Sequence, residues 1–510
     1  MPDSLSKQNR FWWYLLAINL MLFVPKYLFN LDHAQLLPFG KEGLAGLLSR
    51  TNEDSFRLSG ELLVLTGMLA VFLQLSRKLT PTIPPWFKWL VSLIFLVFFY
   101  YQLMLEFSLK LYGEAPSFLN DLTLIRQVLP IFLSGRGLDN PLYIIAAIIG
   151  FVAVSTLFVW LVHSCLSALW DLFGRKATTE DTRPHRLHWY LLLSLQALTL
   201  FSLLKYPPTS NQSTIQWSLA KIAQSADKEG FDKLETIENK QLYQDYLTAD
   251  LRQKPNIYLI VIEAYGSVIS LAKNTSENYG KVTDDLTKVL SKEGWYSTSN
   301  YSESPIQGGR SWLAFSSLMS GLRIENQLHY NDLLHGHPDF PHLIRYLNGQ
   351  DYRSYRLTTL SATESAKKQI PQQAMNRLWD YTRWLQFDDV PYRGYAYNNF
   401  GGIPDQYALE YFNESVTKQE SGPEFLFFIT MTSHAPWYSP PPLVDDWRQL
   451  DELQTAVPPA AAELLQRYEK TIHYELNFLT KFITETADSN SIFILVGDHQ
   501  PAGLMYQLPN

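Results

Sequence analysis

The stretch Asn256–Ala264, NIYLIVIEA, is a short apolar run with four β-branched side chains, Ile257, Ile260, Val261 and Ile262. Apolar runs of this length are typical of a strand that is buried on both faces of a sheet. The run ends at the carboxylate of Glu263. The stretch therefore predicts a central strand with an acidic group at its carboxyl end.

Similar runs recur along the chain and alternate with segments of helical periodicity. Further strand candidates are Tyr352–Thr359, Glu424–Thr432 and Ser491–Val496. Helices are predicted near Val282–Glu293, where Gly294 follows, and over Leu464–Thr484, whose apolar side chains share one face. Strands that alternate with helices predict an α/β domain with a mostly parallel or mixed sheet.

Charged and imidazole side chains follow three of these runs. The first ends in Glu263, the third in Ser433-His434, and the last in Gly497-Asp498-His499. Open α/β sheets bind ligands beyond the carboxyl ends of their strands, so these groups are expected to converge. Carboxylate oxygens and a histidine nitrogen suit Zn²⁺, or Mn²⁺ where oxygens dominate. The pattern predicts a site for one divalent metal ion.

Ser311 is the candidate nucleophile, in the segment Gly308-Gly309-Arg310-Ser311-Trp312-Leu313. An apolar helical stretch follows it and Gly321 ends that stretch, so Ser311 is expected at a helix N-terminus, where free N–H groups favour an anion. A serine in this place is also an ordinary helix N-cap. Together with the strand ends, the segment favours a metal-activated serine that attacks phosphorus.

The N-terminal part of the chain has the composition of a membrane domain. Five segments approach the roughly 20 apolar residues that cross a bilayer; they lie near Phe11–Phe29, Leu62–Leu79, Trp86–Leu105, Leu142–Leu169 and Trp189–Leu204. Lys and Arg concentrate before the first, between the second and third, and between the fourth and fifth, which marks those ends as cytoplasmic. Five spans place the C-terminal region outside the cytoplasm; one re-entrant segment would reverse this.

Composition restricts the remaining choices. The net charge of −7 argues against a nucleic-acid partner, and the single cysteine, Cys165, excludes a disulfide framework and a cysteine-based zinc cluster. A proline-containing break at residues 207–211 ends the apolar part. We expect a transmembrane domain at residues 1–207, a helical juxtamembrane linker at 208–253 and an extracytoplasmic catalytic domain at 254–510.

The ordered motifs also resemble a known family. They are Ile262-Glu263-Ala264-Tyr265, Gly308-Gly309-Arg310-Ser311, Thr432-Ser433-His434 and Gly497-Asp498-His499, with the tract Tyr468–Glu475 before the last strand. With the five apolar segments, they resemble the lipoteichoic acid synthase and phosphoethanolamine or phosphoglycerol transferase group. That group lies in the sulfatase-like branch of the alkaline phosphatase superfamily.

The resemblance implies roles for particular residues. Glu263, Asp498 and His499 match metal ligands, Ser311 matches a nucleophile that also binds the metal, and His434 matches a histidine that binds the substrate phosphate or assists proton transfer. Three more residues are candidates for substrate binding: Arg310, Asn399 and Asp405. Asn399 and Asp405 lie in a segment similar to a substrate-side loop. For Arg310, an ordinary surface arginine is an equally good interpretation.

Two features depart from the wider pattern. Leu313 stands where the sulfatase modification signal Cys/Ser-x-Pro-x-Arg requires proline, which argues against a formylglycine sulfatase. The chain also ends eleven residues after His499, where members of the group continue with more sheet. We therefore expect a short variant or a C-terminal truncation.

The resulting expectation is a bacterial inner-membrane enzyme with a domain on the periplasmic or outer side. It would transfer phosphoglycerol or phosphoethanolamine from a phospholipid donor to an envelope glycan or lipid acceptor, through a covalent Ser311 intermediate and one Mn²⁺ or Zn²⁺. Two alternatives stay open. One is a membrane-bound hydrolase, a phosphodiesterase or sulfatase-like enzyme, with the same site; the other is a catalytically silent membrane scaffold.

Overall fold

The computed structural model describes most of the chain in separate stretches. They are residues 2–29, 59–75, 83–112, 141–174, 182–205, 245, 247–359, 372–395, 402–417, 421–435, 437–453 and 464–504. The chain divides into two compact units; the first holds most described residues up to 205, and the second holds those from 245 onward. Most of the predicted linker at 208–253 lies outside the described residues.

The N-terminal unit consists of helices. They are α1 (Pro2–Phe29), α2 (Gly60–Leu75), α3 (Pro85–Tyr112), α4 (Pro141–Leu169, continued by a π-turn at Trp170–Gly174) and α5 (Thr182–Lys205). Each covers one of the five predicted apolar segments, except that residues 76–79 of the second lie outside the described residues. Only Pro85–Ser108 and Ile148–Phe173 are long and apolar enough to count as candidate membrane spans among the described residues. Helix α2 is apolar but shorter. The five-span topology therefore stays a prediction.

The C-terminal unit is built on one parallel sheet. Its strands are β1 (Asn256–Ile262), β2 (Arg353–Thr358), β3 (Arg383–Leu385), β4 (Glu424–Ile429) and β5 (Ser491–Gly497), in the order β3-β2-β4-β1-β5. All four pairings are parallel. The four predicted strands are confirmed to within a few residues. Strand β3 was not predicted, because three residues are too few to show a pattern.

Helices cover both faces of this sheet. They are α6 (Val268–Leu271), α7 (Ser276–Lys292), α8 (Ser311–Ser320), α9 (Gln327–Gly336), α10 (Leu343–Gly349), α11 (Gln372–Trp379), α12 (Asp405–Tyr411, continued by a π-turn at Phe412–Val416) and α13 (Leu464–Glu485), with short 3-10 turns at Phe387–Asp389 and Trp447–Glu452. Three predicted helices are confirmed, as α7, α8 and α13, although α7 begins six residues earlier, at Ser276.

Successive side chains of β1 point to opposite faces and enter two separate cores. Tyr258, Ile260 and Ile262 pack in the cluster that contains the buried face of α13. Leu259 and Val261 pack in the other cluster, with residues of α8, α9 and α10. Because both faces are covered, the whole strand is apolar, and the chain becomes polar only where β1 ends at Glu263.

Candidate active site

The polar residues that follow β1 and β5 lie at one edge of the sheet. Ile262 pairs with Gly497 at the carboxyl end of these neighbouring strands. Glu263 follows β1 directly, and Asp498 and His499 follow β5. The parallel register therefore brings together residues that are more than 230 positions apart in the sequence, as the sequence predicted.

Glu263, Asp498 and His499 form a buried group with the geometry of a metal site. Their candidate ligand atoms all lie within 4.8 Å of one another. His499 Nε2 is 3.4 Å from Glu263 Oε1 and 3.4 Å from Asp498 Oδ2. Within the described part of the chain, no lysine or arginine forms an ion pair with either carboxylate. A bound cation would balance the negative charge of such a cluster.

The surrounding backbone fixes which atoms face the centre of the cluster. Asp498 Oδ1 accepts hydrogen bonds from the N–H groups of Ala264 (2.8 Å) and His499 (2.9 Å). Its Oδ2 is buried and has no hydrogen-bond partner. His499 Nδ1 lies 2.8 Å from the carbonyl oxygen of Gln500 and must donate to it, so Nε2 presents a lone pair in the neutral ring.

The electrostatics of the cluster also fit a divalent ion. Burial, and next the neighbouring charge of Asp498, raises the pKa of Glu263 well above its ordinary range. Three acceptors, two carboxylate oxygens and one imidazole nitrogen, face one another without a donor to separate them. A bound divalent cation relieves this repulsion, and the donor set suits Mn²⁺ or Zn²⁺.

Ser311 is the first residue of α8 and faces the metal-site residues. Its Oγ lies 3.2 Å from His499 Nε2 and 3.5 Å from Glu263 Oε2. The cap position belongs to Arg310, and no side chain caps the helix. The N-cap interpretation of the Ser311 hydroxyl is therefore not what the structure has, and its role as a metal-bound nucleophile stays a prediction.

The turn before α8 adopts an unusual backbone. Gly309 has φ 60° and Arg310 has φ 58°, both in the left-handed region. Glycine takes this conformation without a Cβ penalty, but arginine pays a cost there. The turn directs Ser311 toward Glu263 and leaves the first N–H groups of the helix open to an anion. Backbone strain of this kind is concentrated at functional sites.

His434 follows β4 and lies near Asp498 and His499, whose charges act on its pKa. Burial is the largest influence and lowers that pKa, so the ring is neutral at neutral pH. Its Nδ1 is 2.6 Å from the carbonyl oxygen of Ala435 and donates to it, which leaves Nε2 as an acceptor. His434 is thus suited to accept a proton or a hydrogen bond from a substrate.

The three predicted substrate-binding residues fall in different places. Arg310 is half-buried beside Ser311. Asn399 lies outside the described residues. Asp405 begins α12, is completely buried, and accepts hydrogen bonds from the backbone N–H groups of Met431 (2.9 Å) and Thr432 (2.6 Å). In this position Asp405 supports the loop that carries His434; substrate contact by these residues stays a prediction.

Glu475 is a buried acid that sequence analysis did not single out beyond its place in the Tyr468–Glu475 tract. It lies on α13, is completely buried, and neighbours Asp405, Thr430 and Ser433. Burial, and next the charge of Asp405, raises the pKa of Glu475 well above its ordinary range. Because backbone donors stabilise the charge on Asp405, we assign the proton of this pair to Glu475.

This assignment predicts how stability depends on pH. The folded state keeps the Glu475 proton to higher pH than the unfolded state, so the free energy of unfolding falls as pH rises from the ordinary glutamate pKa toward the raised one. Glu475→Gln supplies a permanent donor to Asp405. At pH 8 we expect the variant to be more stable than the wild type, by on the order of 1–3 kcal/mol.

Thermal unfolding between pH 5 and pH 9 measures this effect. The wild type should lose stability along the series relative to Glu475→Gln. Glu485→Gln is the matched control, because Glu485 is exposed at the end of the same helix and its ion pair with Lys481, the only one to a described residue, is 3.9 Å long. Parallel pH profiles for the wild type and Glu475→Gln would show that Glu475 is ionised in the folded protein.

Further residues hold the site in place through contacts that the sequence does not reveal. The Tyr468 hydroxyl donates to the carbonyl oxygen of Ala264 at 2.9 Å and accepts from the N–H of Gly266 at 3.2 Å. Thr430 Oγ1 accepts from the N–H of Glu263. The left-handed φ of 56° at Ala264 shows why the turn after β1 needs this support. Sequence signals existed for the positions of Thr430, inside a strand candidate, and Tyr468, at the start of the Tyr468–Glu475 tract, but not for these contacts.

Comparison with protein families agrees with this geometry. Residues 255–505 match the family model described as Sulfatase. The matched segment contains all five strands together with Glu263, Ser311, Asp498 and His499. The C-terminal part of the chain is therefore a sulfatase-like α/β domain. A search among curated proteins found no match.

Two solved structures are similar to part of the chain. One is the lipoteichoic acid synthase LtaP from Listeria monocytogenes, with 16% identity and a TM-score of 0.34 over 51% of this chain and 62% of that one. The other is a protein in the alkaline phosphatase superfamily from Vibrio parahaemolyticus, with 16% identity and a TM-score of 0.34 over 54% and 66%. The chain thus matches less than two thirds of the length of each.

Proposed function

We propose that this sulfatase-like domain is a metal-dependent phosphotransferase, which moves a phospho-alcohol group from a phospholipid to a hydroxyl of an envelope glycan or lipid. The observation that carries the proposal is the position of Ser311. Its Oγ begins a helix, 3.2 Å from His499 Nε2 and 3.5 Å from Glu263 Oε2. A serine hydroxyl beside a metal site and an anion-binding helix end suits attack on a phosphodiester.

Glu263, Asp498 and His499 would hold the metal, and the Ser311 oxygen would complete its ligands. When bound, a divalent ion lowers the pKa of the serine hydroxyl and neutralises charge on a phosphate oxygen. The free N–H groups at the start of α8 hold the remaining phosphate oxygens. Arg310 is placed beside them and is proposed to pair with one of these oxygens.

In the first half-reaction, Ser311 Oγ attacks the phosphorus of the lipid head group. The Oγ–P bond forms and the bond from phosphorus to the diacylglycerol oxygen breaks. A proton must reach that leaving oxygen, and the one released by Ser311 balances the reaction. Neutral His434 is the proposed carrier, since its Nε2 is an acceptor and the ring lies near Asp498 and His499.

In the second half-reaction, the acceptor hydroxyl attacks the same phosphorus. The P–Oγ bond breaks, Ser311 recovers its proton, and the phospho-alcohol is left on the acceptor. Because the first product leaves before the acceptor reacts, the scheme gives ping-pong kinetics. The apolar N-terminal helices would hold the domain at the membrane that contains its donor. The Lys and Arg pattern of the sequence supports a domain outside the cytoplasm, which is part of the proposal.

A hydrolase with the same site is the second candidate, favoured by the description of the family whose model the domain matches. In that case water, and not an acceptor hydroxyl, releases the group from Ser311. The formylglycine route is not proposed for it, because Leu313 replaces the proline of the modification signal. A phosphodiesterase is then the form that the site supports.

Trapping the intermediate tests both candidates. The full-length chain is incubated with Mn²⁺ or Zn²⁺ and phosphatidylglycerol or phosphatidylethanolamine labelled in the head group, then quenched in acid and digested. We expect the Ser311 peptide to gain the mass of the phospho-alcohol. Chasing with a hydroxyl acceptor should move the label to the acceptor for a transferase and to free phospho-alcohol for a hydrolase. Lipid turnover without a labelled Ser311 peptide would overturn the covalent scheme.

A further inference from the structure

Arg356 is a buried arginine in the apolar core behind the nucleophile helix α8. It lies on β2, where it is opposite Phe427 on β4 and Trp384 on β3. Only 9% of the residue is exposed. Its neighbours on this face of the sheet, such as Leu347 and Phe425, are core residues. A charge in this place needs an explanation, because arginine is rarely buried without a partner.

Within the described part of the chain, the guanidinium of Arg356 has no hydrogen bond and no ion pair, and its Nε is among the buried atoms without a partner. Its contacts are with aromatic rings. The guanidinium carbon is 4.3 Å from the centre of the Trp384 ring and 5.9 Å from that of Phe427. Arginine stays protonated at any physiological pH, so the positive charge persists.

Ring contacts are too weak to compensate for such a charge. A cation–π contact recovers only a small part of what desolvating an unpaired guanidinium costs, even when it is fully buried. The donors of the guanidinium also stay unsatisfied, because the face of a ring accepts hydrogen bonds poorly. A negative group or a hydrogen-bond acceptor must therefore contact Arg356 for the folded state to be favourable.

A cavity of about 10 Å³ lies against the guanidinium, close to the space that one water-sized guest requires. Its lining includes residues of α8, namely Trp312, Phe315, Ser316 and Met319, and aromatic residues from other elements. Among the lining residues are Tyr330 and Tyr381, whose hydroxyls make no hydrogen bond to a described residue. Burial raises the pKa of Tyr330 to about 12, so this hydroxyl stays a donor.

The Arg356 guanidinium and the hydroxyls of Tyr330 and Tyr381 can therefore each donate a hydrogen bond. The guanidinium has only donors, and each tyrosine hydroxyl has a donor to offer. The described lining residues include no carboxylate. Positive charge, donor groups on three lining residues, aromatic walls and space for one small guest together select a small anion over a cation or an apolar ligand.

We propose that Arg356, Tyr330 and Tyr381 form a binding site for one small monovalent anion. The site lies between α8 and the sheet and is separate from the residues proposed to bind metal. Its occupation neutralises Arg356 and satisfies the donors that the protein leaves open. The anion is thus a structural component of the core that supports α8, and its binding does not depend on the function proposed above.

Thermal unfolding of the full-length chain in sodium gluconate, with chloride or bromide substituted at constant ionic strength, tests the site. We expect the melting temperature of the wild type to rise with halide and to saturate. Arg356→Met removes the charge and keeps much of the volume, so it should fold, with a melting temperature that halide no longer changes. Tyr381→Phe should raise the half-saturating halide concentration roughly tenfold, because the variant loses one hydrogen bond to the bound anion.

The matched control is Arg377→Met, because Arg377 is exposed on the neighbouring helix α11. It should keep the halide dependence of the wild type. An equal melting temperature of the wild type in gluconate and in chloride would overturn the proposal. So would an equal halide effect in the wild type and Tyr381→Phe, which would indicate binding elsewhere on the protein.

Discussion

Replacing Ser311 with alanine is expected to lower the turnover of a labelled phospholipid by at least about 10³-fold, which corresponds to about 4 kcal/mol in the barrier. The reason is that the variant loses the only hydroxyl at the start of α8, 3.2 Å from His499 Nε2 and 3.5 Å from Glu263 Oε2. Ser316 and Ser317 lie more than a turn further along and donate to backbone carbonyls of their own helix.

The same substitution should leave the fold nearly unchanged. The Ser311 hydroxyl makes no cap hydrogen bond in the structure, and alanine is the best helix former, so we expect a change of no more than about 1 kcal/mol in the free energy of unfolding. Ser311→Thr keeps a hydroxyl and should retain part of the activity. Turnover by initial rates and stability by thermal unfolding are measured on the same preparations.

Ser317→Ala is the control with the opposite pattern. Its hydroxyl donates to the carbonyl oxygen of Leu313 and accepts from the N–H of Ile324, so its loss should cost stability of about 1 kcal/mol. It faces none of the proposed metal ligands, and turnover should be close to normal. If Ser311→Ala keeps near-normal turnover while Ser317→Ala behaves as stated, Ser311 is not the nucleophile.

The sequence predicted the central part of the fold because physical constraints there are local. A strand buried on both faces must be apolar throughout, which made β1 and β4 visible as continuous runs. Strand β5 is also a continuous apolar run, although it lies at the edge of the sheet and its side chains are half-buried or exposed. Parallel strands share an edge, so the residues after each run could be expected to meet. Strand β3 has only three residues, Arg383–Leu385, and exists through its pairing with β2, which no local pattern expresses.

Other features depend on contacts between distant residues. The segment Arg353–Thr358 has several polar residues, and nothing in it indicates that Arg356 faces the core and Arg353 lies at the end of a strand. The pairing of Glu475 with Asp405 joins α13 to α12 across 70 positions of sequence. Ser311 had two interpretations in the sequence; the structure sets the helix cap aside because Arg310 occupies the cap position, and the nucleophile stays a prediction.

The second large effect concerns the metal. Asp498→Asn is expected to abolish stoichiometric binding of Mn²⁺ or Zn²⁺ and to lower turnover by at least about 10³-fold. Asparagine keeps the Oδ1 acceptor for the N–H groups of Ala264 and His499, at 2.8 and 2.9 Å in the wild type. It replaces Oδ2, the buried oxygen without a hydrogen-bond partner, by an amide that repels a cation.

In the absence of metal, Asp498→Asn should not lower the free energy of unfolding. Without an ion, the Asp498 charge raises the pKa of Glu263 and repels its charged form, and the neutral amide removes that repulsion. The metal-free variant should therefore be at least as stable as the metal-free wild type. Adding metal at 100 times its dissociation constant should stabilise only the wild type, by about 2.7 kcal/mol.

Metal analysis and thermal unfolding, each before and after treatment with a chelator, measure these changes. Asp284→Asn is the control, because Asp284 is exposed on α7 and is not one of the proposed metal ligands, and the variant should keep metal, stability and turnover. A catalytically silent scaffold predicts a different result. Its wild type would hold no stoichiometric ion, and chelation would leave its melting temperature unchanged. Because a buried cluster of two carboxylates and an imidazole is costly without a cation, we expect the chelated wild type to be the less stable form.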